Sequence, residues 1–220
     1  MYSILKKDDN INLMYDTLKN EGVFVIPNYL NEKDNKELSD EMLKRLEKSQ
    51  RKYEFGKCYR GDYNSIFKND SPLKRVYDVA WMKKLTGMYK PKASFGDCVF
   101  STHDYVSTDK WERQAWLHFD KQNSLKFFIY LTDVEEGCGA LTVAPKTHIL
   151  GKELRTKWSS NEYEKKRRLE NTIQSELEDY EIHPIYQPKG SLIVFDTDTF
   201  HKGGVVEDGK SRLVVRLHCK

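Results

Sequence analysis

The chain has 220 residues, a length that suits one large domain or two small ones. Its 37 Lys and Arg residues nearly balance its 34 Asp and Glu residues, and the resulting net charge of +3 argues against a nucleic-acid-binding protein, which would carry a clearly basic surface. The aromatic content of 12% is too high for a disordered chain, so the composition predicts a folded protein that binds no nucleic acid.

No apolar segment approaches the roughly 20 residues that a membrane-spanning helix needs. The first residues also lack the apolar segment of a secretory signal. We therefore expect a cytoplasmic protein without a membrane span. Its four cysteines are expected to be reduced thiols, since none of them forms a C-x-x-C pair. The sequence leaves the oligomeric state open.

The first 90 residues predict one strand and supporting helices. Residues 22–27 form a β-branched and aromatic run closed by Pro27, which is typical of a strand. Asn31 then precedes an acidic first turn, which predicts a helix that begins at Glu32 and ends near Lys48. Apolar residues at helical spacing predict a second helix over residues 73–88.

From residue 93 onward the sequence changes to short runs rich in Val, Ile, Phe, Tyr and Thr, separated by turn residues. Many short strands at this spacing predict a mainly β protein, a sandwich or a barrel, with the helices packed outside. The charged stretch from about residue 151 to 180 is helix-compatible, and we interpret it as an insertion that either covers one mouth of the barrel or is simply a solvated helix. The predicted strands cover residues 98–102, 115–120, 125–131, 140–144, 181–186, 191–196 and 212–218.

Three residues suggest a metal site. On a strand, residues two apart point to the same face, so His118 and Asp120 would present an imidazole and a carboxylate together. His201, from a distant strand, would complete a set of two histidines and one carboxylate, which leaves open positions on an iron(II) ion. The pair alone is weak, because a strand-end His followed by a capping Asp produces the same pattern by chance.

The surroundings of these residues are more specific, and together they resemble the phytanoyl-CoA dioxygenase family of Fe(II)/2-oxoglutarate oxygenases. The H-x-D pair is followed by a Gly-Cys-Gly-Ala-Leu segment, by the run that ends in His201, and by Arg212 eleven residues later. Residues 21–32 resemble the opening strand and first helix of the family. The resemblance covers nearly the whole chain, from about residue 20 to 218.

This resemblance implies a double-stranded β-helix, a jelly-roll (cupin-like) barrel with flanking helices. It implies a single oxygenase domain over residues 1–220, with the N-terminal strand and supporting helices in 1–90 and the jelly-roll core, including the insertion at about 151–180, in 91–220.

The resemblance also implies an Fe(II) cofactor held by the catalytic residues His118, Asp120 and His201. The co-substrates 2-oxoglutarate and O2 would be converted to succinate and CO2, with hydroxylation of an unactivated C–H bond in a small-molecule metabolite. Asp120 favours hydroxylation over halogenation, because halogenating relatives carry a small residue at that position. Two alternatives remain: a non-catalytic jelly-roll that binds a metabolite or metal, and the same iron site performing desaturation, cyclisation or epimerisation.

The distal carboxylate of 2-oxoglutarate requires a buried cation, and a guanidinium fork binds carboxylate in bidentate fashion. Arg212 lies at the offset that the family uses, and Arg216, four residues on and on the same strand face, is the alternative. The chain departs from the family pattern at Gly203, where Ser or Thr is usual, and at Cys138, where Asn is usual. Candidates for a second polar group that assists in binding 2-oxoglutarate are Thr102, Lys126 and Thr142.

Other residues have weaker indications. His103, beside an aspartate, is an alternative metal ligand, while the remaining histidines are expected to be structural. Asp196 and Asp198 could orient an imidazole of the site.

Basic residues in the segments 53–67 and 151–179 favour an anionic or zwitterionic substrate; they are Lys57, Arg60, Lys152, Arg155 and Lys157. Aromatic residues that either line the mouth or belong to the core are Phe100, Tyr105, Trp111 and Trp116.

Overall fold

Short runs of Val, Ile, Phe and Leu pair into β-sheets in the computed structural model, because these side chains fill both faces of a buried sheet. The structure describes residues 1–49, 52–53, 56–62, 71–77, 79–96, 98–105, 117–159, 161–162, 177 and 179–220. Trp111, Trp116 and most of the expected insertion lie outside these residues, as does the side chain of Phe100.

The strands of the described residues form an eight-stranded sheet and a three-stranded sheet. In chain order the strands are β1 (Ser3–Ile4), β2 (Val23–Ile26), β3 (Lys52–Tyr53), β4 (Gly56–Asp62), β5 (Cys98–Asp104), β6 (Leu125–Tyr130), β7 (Leu141–Ala144), β8 (His183–Pro184), β9 (Leu192–Asp196), β10 (Phe200–Gly203) and β11 (Arg212–Cys219). The large sheet has the order β1-β2-β9-β6-β11-β5-β4-β3, and the small sheet has the order β10-β7-β8. Apart from the parallel pair β1–β2, the described pairings are antiparallel.

Helices cover the outer face of the large sheet. The described helices are α1 (Ile11–Glu21), α2 (Glu32–Lys48), α3 (Pro72–Tyr77), α4 (Ala80–Tyr89) and α5 (His148–Lys157). The first four contribute buried apolar side chains, such as Leu18, Leu38 and Leu85, to one core cluster with Phe127 and Val215 of the sheet. Within the described residues, no helix is both long enough and apolar enough to cross a membrane.

Strand alternation divides the interior into two layers. On β6, Leu125, Phe127 and Ile129 belong to the core under the helices, whereas Phe128 and Tyr130 belong to the core between the two sheets. Lys126 follows the same alternation and therefore points into the space between the sheets, where it is 8% exposed. The alternation of side chains along β6 thus places the charged Lys126 side chain in the barrel interior.

The mainly β fold with flanking helices confirms the expectation from the sequence. The strand over residues 22–27 and the helix Glu32–Lys48, with Asn31 as its N-cap, also match the structure.

Two local predictions were wrong. The expected single helix over residues 73–88 is two helices, because Val79 adopts an extended conformation with φ −112° and ψ 139°. In the segment expected as a strand over residues 115–120, the described part is an isolated bridge between His118 and His201. Helix α1 was not predicted.

Candidate metal centre and co-substrate pocket

His118 and His201 are joined through their backbones. The amide of His118 donates to the carbonyl of His201 at 3.0 Å, and the amide of His201 donates to the carbonyl of His118 at 2.8 Å. This antiparallel pairing sets the two imidazoles side by side, with ring centroids 4.7 Å apart. Two histidines that are 83 positions apart in the sequence are therefore held by a reciprocal pair of backbone hydrogen bonds.

Asp120 completes the cluster. Its backbone amide donates to the carbonyl of Thr197 at 2.9 Å, which fixes the chain two residues beyond His118. Its Oδ1 lies 4.0 Å from Nε2 of His118 and 3.7 Å from Nε2 of His201. One donor atom from each of the three residues lies within 4.8 Å of the others. Two imidazole nitrogens and one carboxylate oxygen are a donor set that suits Fe(II) and leaves coordination positions open, so the residues present fit an iron ion.

A backbone carbonyl sets the orientation of His201. Nδ1 of His201 lies 2.8 Å from the carbonyl oxygen of Thr199. A carbonyl only accepts hydrogen bonds, so the Nδ1 proton is the donor and Nε2 presents its lone pair toward His118 and Asp120. Burial lowers the pKa of His201 to about 3, and the neighbouring His118 acts in the same direction. The ring is therefore neutral near pH 7, as a metal ligand must be.

Lys126 lies against Asp120 in the cluster. Its Nζ is 2.7 Å from Oδ2 of Asp120, the carboxylate oxygen not directed at the two imidazoles. Burial is the largest single influence on the pKa of Asp120 and would raise it, but Lys126 and the two imidazoles together outweigh burial and bring that pKa far below its ordinary value. Burial likewise lowers the pKa of Lys126, which Asp120 opposes. The structure thus brings Lys126 to the metal cluster as the counterion of Asp120.

Asp196 and Asp198 contact groups other than the imidazoles. Asp196 accepts hydrogen bonds from the hydroxyl of Tyr89 at 2.9 Å, the amide of Asn123 and the backbone amide of Asp198 at 2.9 Å. The Asp198 carboxylate pairs with the guanidinium of Arg155 on α5. The two acids therefore hold the loop that leads into His201, while the carbonyl of Thr199 orients the ring.

A cavity of about 240 Å³ lies between the sheets at the cluster. Arg212 and Arg216 both reach it from the same face of β11, as the period of two predicts. The Arg212 guanidinium is held by Asp104, and the Arg216 guanidinium lies 5.9 Å from the ring centre of Phe128. The residues that line the cavity are His118, Asp120, Lys126, Phe128, Leu141, Phe195, His201, Gly203, Arg212 and Arg216.

The other two candidates for assisting Arg212 are buried but lie outside this lining. The hydroxyl of Thr102 is 3.4 Å from Oδ2 of Asp104, and the hydroxyl of Thr142 donates to the carbonyl of Ala140 at 3.4 Å. Asp104 itself was missed from the sequence. The alternation along β5 places it on the same face as Thr102, but nothing in the sequence indicates that β5 pairs with β11 in the register that sets Asp104 opposite Arg212.

The remaining candidates lie apart from the cluster. His103 stacks edge-on against Tyr105, with ring centroids 5.0 Å apart, and does not belong to the group of possible metal ligands found among the described residues. Tyr105 is 42% exposed. Nε2 of His148, at the start of α5, lies 3.0 Å from the carbonyl of Lys19 on α1, which fits a structural role.

The comparisons with known proteins agree with this geometry. The family model described as phytanoyl-CoA dioxygenase (PhyH) matches residues 70–214, well over half of the chain. No curated protein matches the sequence at a significant level.

Solved structures share the fold at low sequence identity. The non-heme alpha ketoglutarate dependent epimerase SnoN from nogalamycin biosynthesis is 12% identical with a TM-score of 0.63, and the match covers 96% of this chain and 82% of that one. The non-heme alpha ketoglutarate dependent carbocyclase SnoK from the same biosynthesis is 13% identical with a TM-score of 0.66, covering 93% and 81%. A complex of SnoN with Fe3+, alpha ketoglutarate and nogalamycin RO is 11% identical with a TM-score of 0.64, covering 95% and 82%.

These findings confirm the predicted family, the jelly-roll fold, and Fe(II), 2-oxoglutarate and O2 as the cofactor and co-substrates that the family uses. The chain belongs to the phytanoyl-CoA dioxygenase family of Fe(II)/2-oxoglutarate-dependent oxygenases.

Proposed function

We propose that the protein is an Fe(II)/2-oxoglutarate-dependent hydroxylase of a small-molecule metabolite, built as one oxygenase domain over residues 1–220. The observation that carries this proposal is the convergence of His118, Asp120 and His201, whose donor atoms lie within 4.8 Å of one another beside a cavity that Arg212 also lines. When bound there, Fe(II) with 2-oxoglutarate and O2 supplies the oxidation of an unactivated C–H bond, with release of succinate and CO2.

In this proposal, each of the three ligands is prepared by the chain before any metal binds. The reciprocal backbone bonds between His118 and His201 fix the spacing of the two rings, and the Thr199 carbonyl keeps the His201 Nε2 lone pair available. Lys126 holds Oδ2 of Asp120, which leaves Oδ1 as the oxygen facing the imidazoles. Such preorganisation favours one carboxylate oxygen as a ligand and keeps the other in a hydrogen bond.

Arg212 is proposed to bind the distal carboxylate of 2-oxoglutarate. A Cβ atom built on Gly203 would lie 3.8 Å from Nη2 of Arg212, so the guanidinium reaches across to β10 two residues beyond His201. Two residues of a strand span roughly 7 Å, a separation that a five-carbon dicarboxylate can bridge while its 2-oxo acid end is at the cluster. Gly203, which departs from the family pattern, lies beside the Arg212 guanidinium, and a Cβ atom there would make an ordinary van der Waals contact with Nη2.

The substrate is proposed to be anionic or zwitterionic, as expected from the sequence, but support for this now comes from a different residue. Arg155 is paired with Asp198, so its positive charge is already compensated by a carboxylate of the protein. Arg216 lines the cavity on the same strand face as Arg212 and brings a second guanidinium to the site. A carboxylate on the substrate would meet that guanidinium favourably.

The first test is an anaerobic visible spectrum of the metal-free protein titrated with Fe(II) and then with 2-oxoglutarate. We expect a charge-transfer band that requires both additions, is absent in His118→Ala and is retained in His103→Ala. The second variant is a matched control, because it removes an imidazole that lies outside the cluster. Iron binding without the band would contradict the 2-oxoglutarate site and favour a protein that binds metal or a metabolite without turnover.

The reaction outcome needs a second measurement. Succinate formation in air after the band is established distinguishes an oxygenase from a binding protein. Incorporation of labelled oxygen from O2 into the product supports hydroxylation, and a product that carries no new oxygen supports epimerisation, cyclisation or desaturation at the same iron site. Epimerisation and cyclisation are the activities named for SnoN and SnoK, whose likeness to this chain is one of fold.

A further inference from the structure

A buried ion pair joins Arg212 to Asp104 across neighbouring strands. The two residues are direct partners in the register of β11 and β5. Nε and Nη2 of Arg212 donate to the same oxygen of Asp104, Oδ2, at 3.0 and 2.6 Å. Asp104 is fully buried and Arg212 is 7% exposed, so the pair is almost entirely removed from water. In such surroundings, the hydrogen-bond geometry of the guanidinium is tightly constrained.

The contacts of Arg212 leave a defined part of its guanidinium for a ligand. Nη1 donates to the backbone carbonyl of Gly139, in addition to the two bonds to Asp104. A guanidinium has five N–H donors in a rigid plane. With three of them used, one N–H remains on Nη1 and one on Nη2. Donors on two adjacent nitrogens are the arrangement that binds a carboxylate in bidentate form, and Arg212 lines the cavity of the candidate metal centre.

We propose that Asp104 is a positioning residue for co-substrate binding, which holds the Arg212 guanidinium so that its two remaining N–H donors meet the distal carboxylate of 2-oxoglutarate. This inference rests on the function proposed above. Asp104 acts through Arg212 and does not itself touch the co-substrate. Without it, the guanidinium would retain its charge but lose the orientation on which a bidentate contact depends.

The backbone around Asp104 is closely packed against a neighbouring strand. Gly56 on β4 is its register partner on the other side, and a Cβ atom on Gly56 would lie 1.9 Å from the carbonyl oxygen of His103. The β4 backbone therefore packs directly on the peptide that precedes Asp104. This close packing is consistent with Asp104 as the group against which the Arg212 guanidinium is positioned.

The two oxygens of the Asp104 carboxylate make different contacts. A substitution can therefore remove the negative charge of this residue and keep its hydrogen-bond acceptor. Oδ2 accepts both bonds from Arg212, whereas Oδ1 has no hydrogen-bond partner among the described residues. An asparagine whose amide oxygen occupies the position of Oδ2 would keep both bonds to Arg212. The positioning role therefore predicts that Asp104→Asn retains co-substrate binding and that Asp104→Ala does not.

The test uses two acids that share the 2-oxo acid end and differ at the far end. 2-Oxoglutarate carries the distal carboxylate, and 2-oxopentanoate has the same five-carbon chain without it. Dissociation constants for both acids are measured anaerobically from the charge-transfer band of the Fe(II)-loaded wild type, Asp104→Ala, Asp104→Asn and the surface control Asp208→Ala. The dissociation constant for Fe(II) is measured on each variant as a readout of the intact metal site.

We expect Asp104→Ala to weaken 2-oxoglutarate binding about tenfold or more, with the constants for 2-oxopentanoate and Fe(II) within about twofold of wild type, because only the distal contact is lost. Asp104→Asn is expected to stay within about threefold of wild type for 2-oxoglutarate. Unchanged or tighter 2-oxoglutarate binding in Asp104→Ala would overturn the proposal. So would a parallel loss of both acids and Fe(II), which marks a purely structural pair, or an Asp104→Asn variant as weak as Asp104→Ala. Failure of the wild type to bind 2-oxoglutarate would instead overturn the proposed function.

Discussion

The Lys126 ammonium and the Asp120 carboxylate form an ion pair of 2.7 Å at the cavity between the two sheets, on the carboxylate oxygen that faces away from the two histidines. Lys126 is 10% exposed at its side chain and Asp120 is 26% exposed, so water screens the pair only in part. Without a metal, the Lys126 ammonium supplies the positive charge that compensates the partly buried Asp120 carboxylate. A bound cation would supply a second positive charge to the same carboxylate.

The first prediction concerns how Lys126 and a bound cation together compensate the negative charge of Asp120. Lys126→Met removes the counterion of Asp120, and we expect the metal-free variant to lose about 2 kcal/mol of unfolding free energy, less than for a fully buried pair because Asp120 keeps some contact with water. Fe(II) should then stabilise the variant by a larger increment than it stabilises the wild type, since the metal replaces the missing positive charge and no longer meets the repulsion of Lys126. Thermal unfolding with and without Fe(II) measures both quantities.

The control for this prediction is Lys44→Met, which removes the same charge from an exposed position on α2, on the far side of the large sheet. It should change neither quantity. A Lys126→Met protein that keeps the stability of the wild type but loses affinity for 2-oxoglutarate would instead assign Lys126 to the co-substrate, as first expected from the sequence.

A second prediction separates two basic residues of α5 that the sequence treats alike. Arg155 pairs with Asp198, whose side chain is 4% exposed, while Lys157 is exposed. Arg155→Ala leaves a buried carboxylate without its partner and should cost about 3 kcal/mol of unfolding free energy. Lys157→Ala should change it by less than about 0.5 kcal/mol. Urea unfolding of both variants measures these changes in unfolding free energy. Equal stabilities of the two variants would show that the Arg155–Asp198 pair contributes nothing to the stability of the fold.

The third prediction compares two glycines in helices. A Cβ atom on Gly151 in α5 would lie 2.1 Å from the carbonyl oxygen of Asp198, whereas a Cβ atom on Gly87 in α4 would meet nothing within 4 Å. Gly151→Ala should therefore push α5 away from the loop before His201 and destabilise the protein by about 1–3 kcal/mol. Gly87→Ala should stabilise it by about 0.5–1 kcal/mol, because alanine has the higher helix propensity. Melting temperatures that move in the same direction would contradict the close packing of α5 on this loop.

A fourth prediction concerns Tyr130, which links the two sheets. Its hydroxyl donates to the carbonyl of Ile185 at 3.1 Å and accepts the amide of Leu141 at 2.9 Å. Tyr130→Phe leaves both backbone groups unsatisfied in the core and should cost about 1–3 kcal/mol near pH 7. Chemical denaturation of the two proteins gives the difference directly.

The same residue predicts a pH dependence. Burial raises the pKa of Tyr130 above its ordinary value, so the folded state retains the phenol proton at a pH where the unfolded state has released it. The stabilisation is complete below the unfolded pKa of about 10 and declines as the pH rises above it. The loss of unfolding free energy between pH 9 and pH 11 should accordingly be smaller in Tyr130→Phe than in wild type. Parallel pH profiles would show that Tyr130 ionises as readily in the folded protein as in the unfolded one.

Local sequence patterns were sufficient for several elements and for the candidate ligands. Asn31 and the acidic residues that follow it define the start of α2, and the β-branched run before Pro27 defines β2. For these two elements the information lies within a few residues, where capping and strand alternation act. The ordered motifs that resemble the family selected His118, Asp120 and His201, the three donors that the structure brings within 4.8 Å.

The tertiary structure decided those side-chain contacts that depend on which strands become neighbours. Alternation along β6 and β11 sends Lys126 and Arg212 into the interior, but it does not say which group each will meet. The fold brings Lys126 to Asp120, and the register of β11 against β5 brings Arg212 to Asp104. Arg212 and Asp104 are 108 positions apart in the chain, whereas Lys126 and Asp120 are only six apart, yet both pairings are selected by the way the strands pack. The sequence by itself thus determined the class of chemistry and the three candidate ligands, whereas the partners of those ligands and of Arg212 were decided only when the strands assembled.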